Sequence, residues 1–227
     1  MKSSRRLRGC CRVLKRHIAT RRRTWVAQVP RVALPVRSAN EPVRARYGDY
    51  KPQLRLDFSK SCGYCGDEDR FYGGLPGYHV DHFAPKDQFP GLETTYANLI
   101  YSCPYCNRGK SNKWIGSDPS VSHNGKEGFV DPCLAEFDVH IDRDDDGNFV
   151  ALTPVGAYMI KNLKLYLARH RYIWTIRKLQ YFADRADRLR HFVSKSDGQY
   201  VPLLELLADI NARIKKYNDS VFDVAAQ

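Results

Sequence analysis

No run in this chain approaches the ~20 apolar residues that a helix needs to cross a bilayer, which excludes a helical membrane anchor. No Gly-x-x-x-x-Gly-Lys-Ser/Thr occurs, so a P-loop is excluded and any nucleotide energy must come from another protein. No internal repeat points to a solenoid. No secretory signal places the cysteines in an oxidising compartment, and a reducing, cytoplasmic setting is expected. Acid is scarce at one end. Residues 1–46 hold 14 Lys or Arg against Glu41 alone, so the formal charge of +12 sits almost entirely there and the remainder is close to neutral. At 227 residues the chain is long enough for a real core and suits one domain with an appended module.

Against these absences stand two cysteine pairs, Cys62-x-x-Cys65 and Cys103-x-x-Cys106, bracketing His79-Val80-Asp81-His82. Each pair puts two sulfurs within reach of one ion. Four thiolates satisfy Zn²⁺ with no open position, so a closed site of this kind is structural. Redox chemistry needs only one pair, and disulfides need an oxidising compartment; both are the weaker readings. Cys10, Cys11 and Cys133 fall outside the pattern and read as ordinary thiols.

The chemistry must then come from residues held between the pairs. Metal-assisted phosphodiester hydrolysis needs a base for water, a divalent cation to stabilise charge, and cationic groups to position the backbone. His82 has the ring whose ordinary pKa suits a base near neutral pH. Asp81 offers the hard oxygen that Mg²⁺ prefers, and Asn107 can add an amide oxygen. Arg108, Lys110 and Lys86 are the candidate phosphate contacts. His79, two residues before Asp81 on a strand, would share its face; it either touches the metal or bonds locally.

The stretch HVDHFAPKDQFPGLETTYANLIYSCPYCNRGKSNK, His79 to Lys113, resembles the HNH, or ββα-metal, endonuclease motif. That resemblance implies a strand ending in Asp81-His82, a loop, a second strand and a helix that opens with a metal ligand. It implies His82 as general base, Asp81 as ligand, Asn98 as buttress of the loop holding His82, and Asn107 as the second ligand, where other members carry His. It also implies products with 5′-phosphate and 3′-hydroxyl ends. The layout further resembles, more loosely, the HNH subunits of bacterial antiphage systems, of the Septu type or retron-associated, which work beside an ATPase of the SMC/ABC kind.

Local pattern agrees. Gly77 to Phe83 reads as a short strand and Leu99-Ile100-Tyr101 as a second. Pro85, Pro90 and Gly91 punctuate the loop between them. Pro104 opens a helix expected to run through Asn107 to Trp114. Beyond it, alternation at Phe137, Val139 and Ile141, then Phe149 and Ala151, predicts a hairpin turning at Asp146-Gly147-Asn148. Asp142 to Gly147 imitates the start of a calcium loop, but its twelfth position is Thr153 where a bidentate Glu is needed. Thr153-Pro154 is a helix start, followed by apolar residues at helical spacing from Val155 through Phe182. Asp197-Gly198 interrupts, and Leu203 to Ile214 forms a last helix. Arg169, Arg171, Arg177, Lys178, Arg185, Arg188 and Arg190 read as a solvated, salt-bridged face, with DNA tracking as the alternative, and His123, His140, His170 and His191 as structural.

The expectation is an α+β chain: a basic arm over 1–46, a zinc-stapled nuclease domain over 47–132, and a β-hairpin with a helical module over 133–227. The arm reads as disordered and able to bind nucleic acid without sequence preference. An over-extended gene start and an organellar transit peptide share its composition, though the resemblance to bacterial nucleases argues against the latter. The function expected is a DNA endonuclease with structural Zn²⁺ and catalytic Mg²⁺, nicking alone or cutting both strands as a homo-oligomer. The alternatives are a catalytically silent zinc-stabilised binding module and an RNA-directed nuclease.

Overall fold

The structure, a computed structural model, describes residues 34–224. Cys10, Cys11 and the first 33 residues of the basic arm lie outside the described residues. Within residues 34–46 two side chains are anchored, the rest being mostly exposed: the Arg37 guanidinium forks onto Asp131 at 2.9 and 3.1 Å and donates to the Leu99 carbonyl, and Ser38 bonds Asp57. The charge run concealed this because Arg37 finds its acid 94 residues away.

A 3-10 turn at Tyr47–Tyr50 leads into α1 (Lys51–Asp57). Strands β1 (His79–His82) and β2 (Leu99–Ser102) pair antiparallel, His82 opposite Leu99 and Asp81 opposite Ile100. Helix α2 (Pro104–Lys110) follows at once. It stops short of the expected Trp114 because Ser111 turns to φ +49°, outside helical space.

The next segment departs from expectation. Phe137–His140 is a helical turn, α3, and only Ile141–Arg143 (β3) and Phe149–Ala151 (β4) form the hairpin. Burial explains it: Phe137, His140 and Ile141 are buried while Val139 is 62% exposed, a three-to-four period that the alternation count mistook for two. The turn itself is as read, with Gly147 at φ +88° and the Asp144 carboxylate accepting from the Asp146 and Asn148 amides. That carboxylate organises the turn.

Helix α4 (Pro154–Asn162) starts on Thr153, whose hydroxyl accepts from the Gly156 amide at 3.1 Å. The apolar stripe does not run on unbroken. The chain turns at Lys164 (φ +58°), burying Leu163 and Leu165, before α5 (Ala168–Arg190) begins. Helix α6 (Tyr200–Val224) is about twice the length expected. Its Pro202 is tolerated in the first turn, and Ile214, Tyr217 and Val221 carry the stripe on to pack against Ile173 and Ile176. No described helix is long and apolar enough to cross a membrane.

One apolar cluster reaches from Tyr50 through the four cysteines to Leu165. On the side of the four cysteines, Arg169 and Arg177 of α5 are not part of a solvated face, whereas Arg185 and Arg188 further along are exposed. Arg169 is 3% exposed, its guanidinium between the Tyr72 and Tyr105 rings at 4.4 and 4.3 Å. Arg177 donates to the Gly66 carbonyl at 2.8 Å and pairs with Glu68, Arg143 donates to the Cys65 carbonyl at 2.8 Å, and His170 Nδ1 lies 2.8 Å from Asp67. Burial pushes the Asp67 carboxyl up, but His170, Tyr72 and Arg143 hold it below the usual carboxylate range. These contacts fasten the first cysteine knuckle to the C-terminal helices.

Candidate active site

All four pattern cysteines are buried, and their sulfurs lie within 4.8 Å of one another. Four ligands about 2.3 Å from a tetrahedral zinc sit about 3.8 Å apart, and Cys65 Sγ lies 3.8 Å from Cys103 Sγ. Cys103 caps α2, its sulfur accepting from the Cys106 amide, which aims the second pair inward. Burial pushes the Cys65, Cys103 and Cys106 thiols up; a bound divalent ion reverses that by deprotonating its ligands outright. The donor set fits a thiolate metal centre.

Strand β1 delivers Asp81 and His82 at its end, both buried. His82 Nε2 lies 2.9 Å from the Glu93 carbonyl oxygen. A carbonyl can only accept, so Nε2 carries the proton and the neutral ring has its lone pair on Nδ1. Burial pushes the His82 pKa below its ordinary value, which keeps the ring neutral at pH 7. The Tyr47 ring stands edge-on to it at 4.7 Å. A recess of about 450 Å³ opens on the far side of Tyr47 and Glu93, lined by these two with Arg46 and Thr94 among others and not by His82 itself.

Asn98, buried at the foot of β2, holds the intervening loop. Its Oδ1 accepts from the Ala84 amide at 2.8 Å, and its Nδ2 donates to the Ala84 carbonyl at 2.9 Å and the Leu92 carbonyl at 3.4 Å. Residues 92–93, which supply the carbonyl for His82, are thereby tied to the end of β1.

Asp81 Oδ2 accepts from the Tyr64 hydroxyl at 2.6 Å and lies 3.5 Å from Lys110 Nζ. Burial pushes the Asp81 carboxyl up, against the pull of Lys110 and Tyr64. Asn107 is half-buried on α2; its backbone amide donates to the Cys103 carbonyl at 3.0 Å, and its side-chain amide makes no hydrogen bond among the described residues. One carboxylate oxygen and one amide oxygen suit a magnesium-class ion that keeps most of its waters, not a fully caged one.

The candidate phosphate contacts divide. Arg108 is exposed beside the Tyr105 ring, and Lys86 is partly exposed, paired with Glu93 at 3.0 Å and above the Tyr47 ring. Lys110 cannot serve: it is fully buried, and its Nζ donates to the His82 carbonyl at 2.6 Å. Nothing in the residue types or spacing marks this lysine as pointing inward while Arg108 points out. Lys110 is a positioning residue under Asp81-His82. Removing one partner of a buried pair costs about 3–5 kcal/mol, so Lys110→Met should lower the thermal midpoint. Each phosphate contact adds about 0.9 to the slope of log affinity against log salt. The Lys110→Met slope should therefore match wild type, and Arg108→Ala should lower it by about 1. A lowered slope for Lys110→Met would restore it as a phosphate ligand.

Sequence reasoning missed Tyr64, Tyr47 and the Glu93 carbonyl. Tyr64 lies inside the first cysteine knuckle, where its hydroxyl could have been suspected; the other two leave no signal. His79 is exposed, and partial burial, with the charges of Lys51 and Arg108, lowers its pKa.

The chain is 32% identical over 79 residues to the Septu protein PtuB of Bacillus thuringiensis, a stretch covering 32% of this chain and 29% of that one. The chain thus spans less than a third of the length of that curated relative. No solved structure matches. Residues 62–113, from the first zinc-pattern cysteine to the end of the α2 turn, match the HNH endonuclease family model, and that segment is an HNH endonuclease domain.

Proposed function

We propose that the chain is a metal-dependent endonuclease that hydrolyses DNA phosphodiester bonds. The observation that carries this reading is the His82 ring, neutral through burial and fixed at Nε2 by the Glu93 carbonyl, which leaves Nδ1 as the proton acceptor. A water beside Nδ1 gives up its proton there as its oxygen attacks phosphorus. Asp81 and Asn107 would hold a divalent ion of the Mg²⁺ class, which supplies charge stabilisation for the phosphate and the departing 3′ oxygen. Asn98 keeps the loop, and with it the Glu93 carbonyl, in place. Arg108 and Lys86 draw the backbone in. Zn²⁺ on Cys62, Cys65, Cys103 and Cys106 is structural and takes no part in the reaction.

The likeness to a Septu protein supports a place for this chain as the nuclease of a bacterial antiphage system, beside an SMC/ABC-type ATPase. Supercoiled plasmid incubated with the purified protein should relax in Mg²⁺ and remain intact in EDTA. Cleavage of RNA but not DNA would redirect the reading to an RNA nuclease. Binding of DNA without cleavage in Mg²⁺ or Mn²⁺, with the ATPase present, would leave only the silent zinc-stapled module.

A further inference from the structure

Away from the HNH site, His123, Glu136 and His140 bring three ligand atoms within 4.8 Å of one another. His123 Nε2 lies 3.2 Å and His140 Nε2 lies 3.5 Å from the same oxygen, Glu136 Oε1. As hydrogen bonds to a carboxylate these are long, since charge-assisted N–H···O contacts run about 2.7–2.9 Å. As ligand edges they are right. Bonds of about 2.0–2.1 Å to a tetrahedral ion place neighbouring donors about 3.3–3.4 Å apart, whereas octahedral bonds of that length would bring them to about 3.0 Å.

The three donors are also held. Glu136 and His140 stand four residues apart at the two ends of the helical turn α3, on one face. The other His140 nitrogen, Nδ1, lies 2.7 Å from Thr153 Oγ1, the cap of α4. With Nδ1–H donating to that oxygen, the Nε2 lone pair faces Glu136, the arrangement by which metal-bound imidazoles are oriented. His123 comes from a separate segment, closed by its bridge to Gly128 and by the Phe129 amide on the Ser122 carbonyl. Only glycine fits at 128: at φ +119° a Cβ would lie 2.2 Å from the Ser122 oxygen. The two histidine rings meet edge to face at 5.6 Å.

We propose that His123, Glu136 and His140 form a second metal site, of the His-His-Glu class, that takes a zinc-like tetrahedral ion with solvent as the fourth ligand. It is independent of the four-cysteine centre and of the nuclease reading. The ion clamps the segment after α2 onto α3 and the start of α4. Binding through His123 Nε2 moves that ring's proton to Nδ1 and gives up the 3.3 Å contact from the Gly125 amide, a weak bond on an exposed loop. The half-exposed Glu136 leaves the fourth position open to water.

The test is zinc content of the full chain, dialysed against buffered zinc and measured by elemental analysis. Wild type should hold two equivalents. His123→Ala and the double variant His123→Ala/Glu136→Gln should hold one, and Thr153→Val should weaken the second equivalent about tenfold. His123 is partly exposed, so at one equivalent of zinc its truncation should leave the thermal midpoint close to wild type, and only wild type should gain stability from the second equivalent. Co²⁺ at the second site should add d–d absorption without the thiolate charge-transfer band of the first. One equivalent in wild type, or two in the double variant, overturns the proposal.

Discussion

Cys106→Ser should release the zinc and leave the protein without a cooperative thermal transition. The two strands of the HNH unit are four residues each and form a sheet of two, and such a hairpin is marginal on its own. What joins them to α2 and to the knuckle before β1 is the four-sulfur cluster, whose cysteines sit in the main core with Tyr64, Tyr78 and Tyr101. Structural zinc contributes about 10–16 kcal/mol in small zinc domains, as much as or more than the about 5–15 kcal/mol by which whole domains are stable. The effect should not stay local. The Cys65 and Gly66 carbonyls and Asp67 accept from Arg143, Arg177 and His170, so a loosened knuckle also releases the helices behind it. Zinc content and thermal unfolding of wild type and variant check this together. A zinc-free Cys106→Ser chain that still melts in one sharp transition would show that the apolar core suffices.

The clustering of the four cysteines was legible because spacing alone carries it: two Cys-x-x-Cys pairs of this kind point to one shared site. Asp81-His82 at the end of a short strand was legible for the same reason, a local motif with local geometry. Pairing across distance was not. Lys110 and Arg108 look alike in sequence, yet α2 turns one under β1 and the other to solvent. Arg169 and Arg177 read as surface charge because their partners, the Tyr72 and Tyr105 rings and the Gly66 carbonyl, come from far up the chain. The histidines at 123 and 140 lacked ligand spacing in sequence, and only the fold of α3 against the preceding loop brings them to Glu136. The helical turn at Phe137–His140 was misread because four residues are too few for a two-residue and a 3.6-residue period to part company.

His82→Ala should lower DNA cleavage by about 10²–10⁴-fold, the range that general-base catalysis contributes, while zinc content and melting stay near wild type. The separation follows from what each atom of His82 does. Its backbone carbonyl, which receives Lys110 Nζ at 2.6 Å, survives the substitution, so the buried Lys110 keeps its acceptor and Asp81 keeps both Lys110 and Tyr64. The ring loses one bond to the Glu93 carbonyl and an edge contact with Tyr47. Asn98 still ties the loop through Ala84 and Leu92, so the carbonyl stays near its place and can be hydrated from the recess beside it. Asn98→Ala should act differently: it frees the loop with the ring still present, so cleavage falls together with the thermal midpoint. Single-turnover cleavage of plasmid, measured beside melting curves for both variants, distinguishes the two. If His82→Ala cleaves like wild type, the base lies elsewhere, and the assignment of Nδ1 as proton acceptor fails with it.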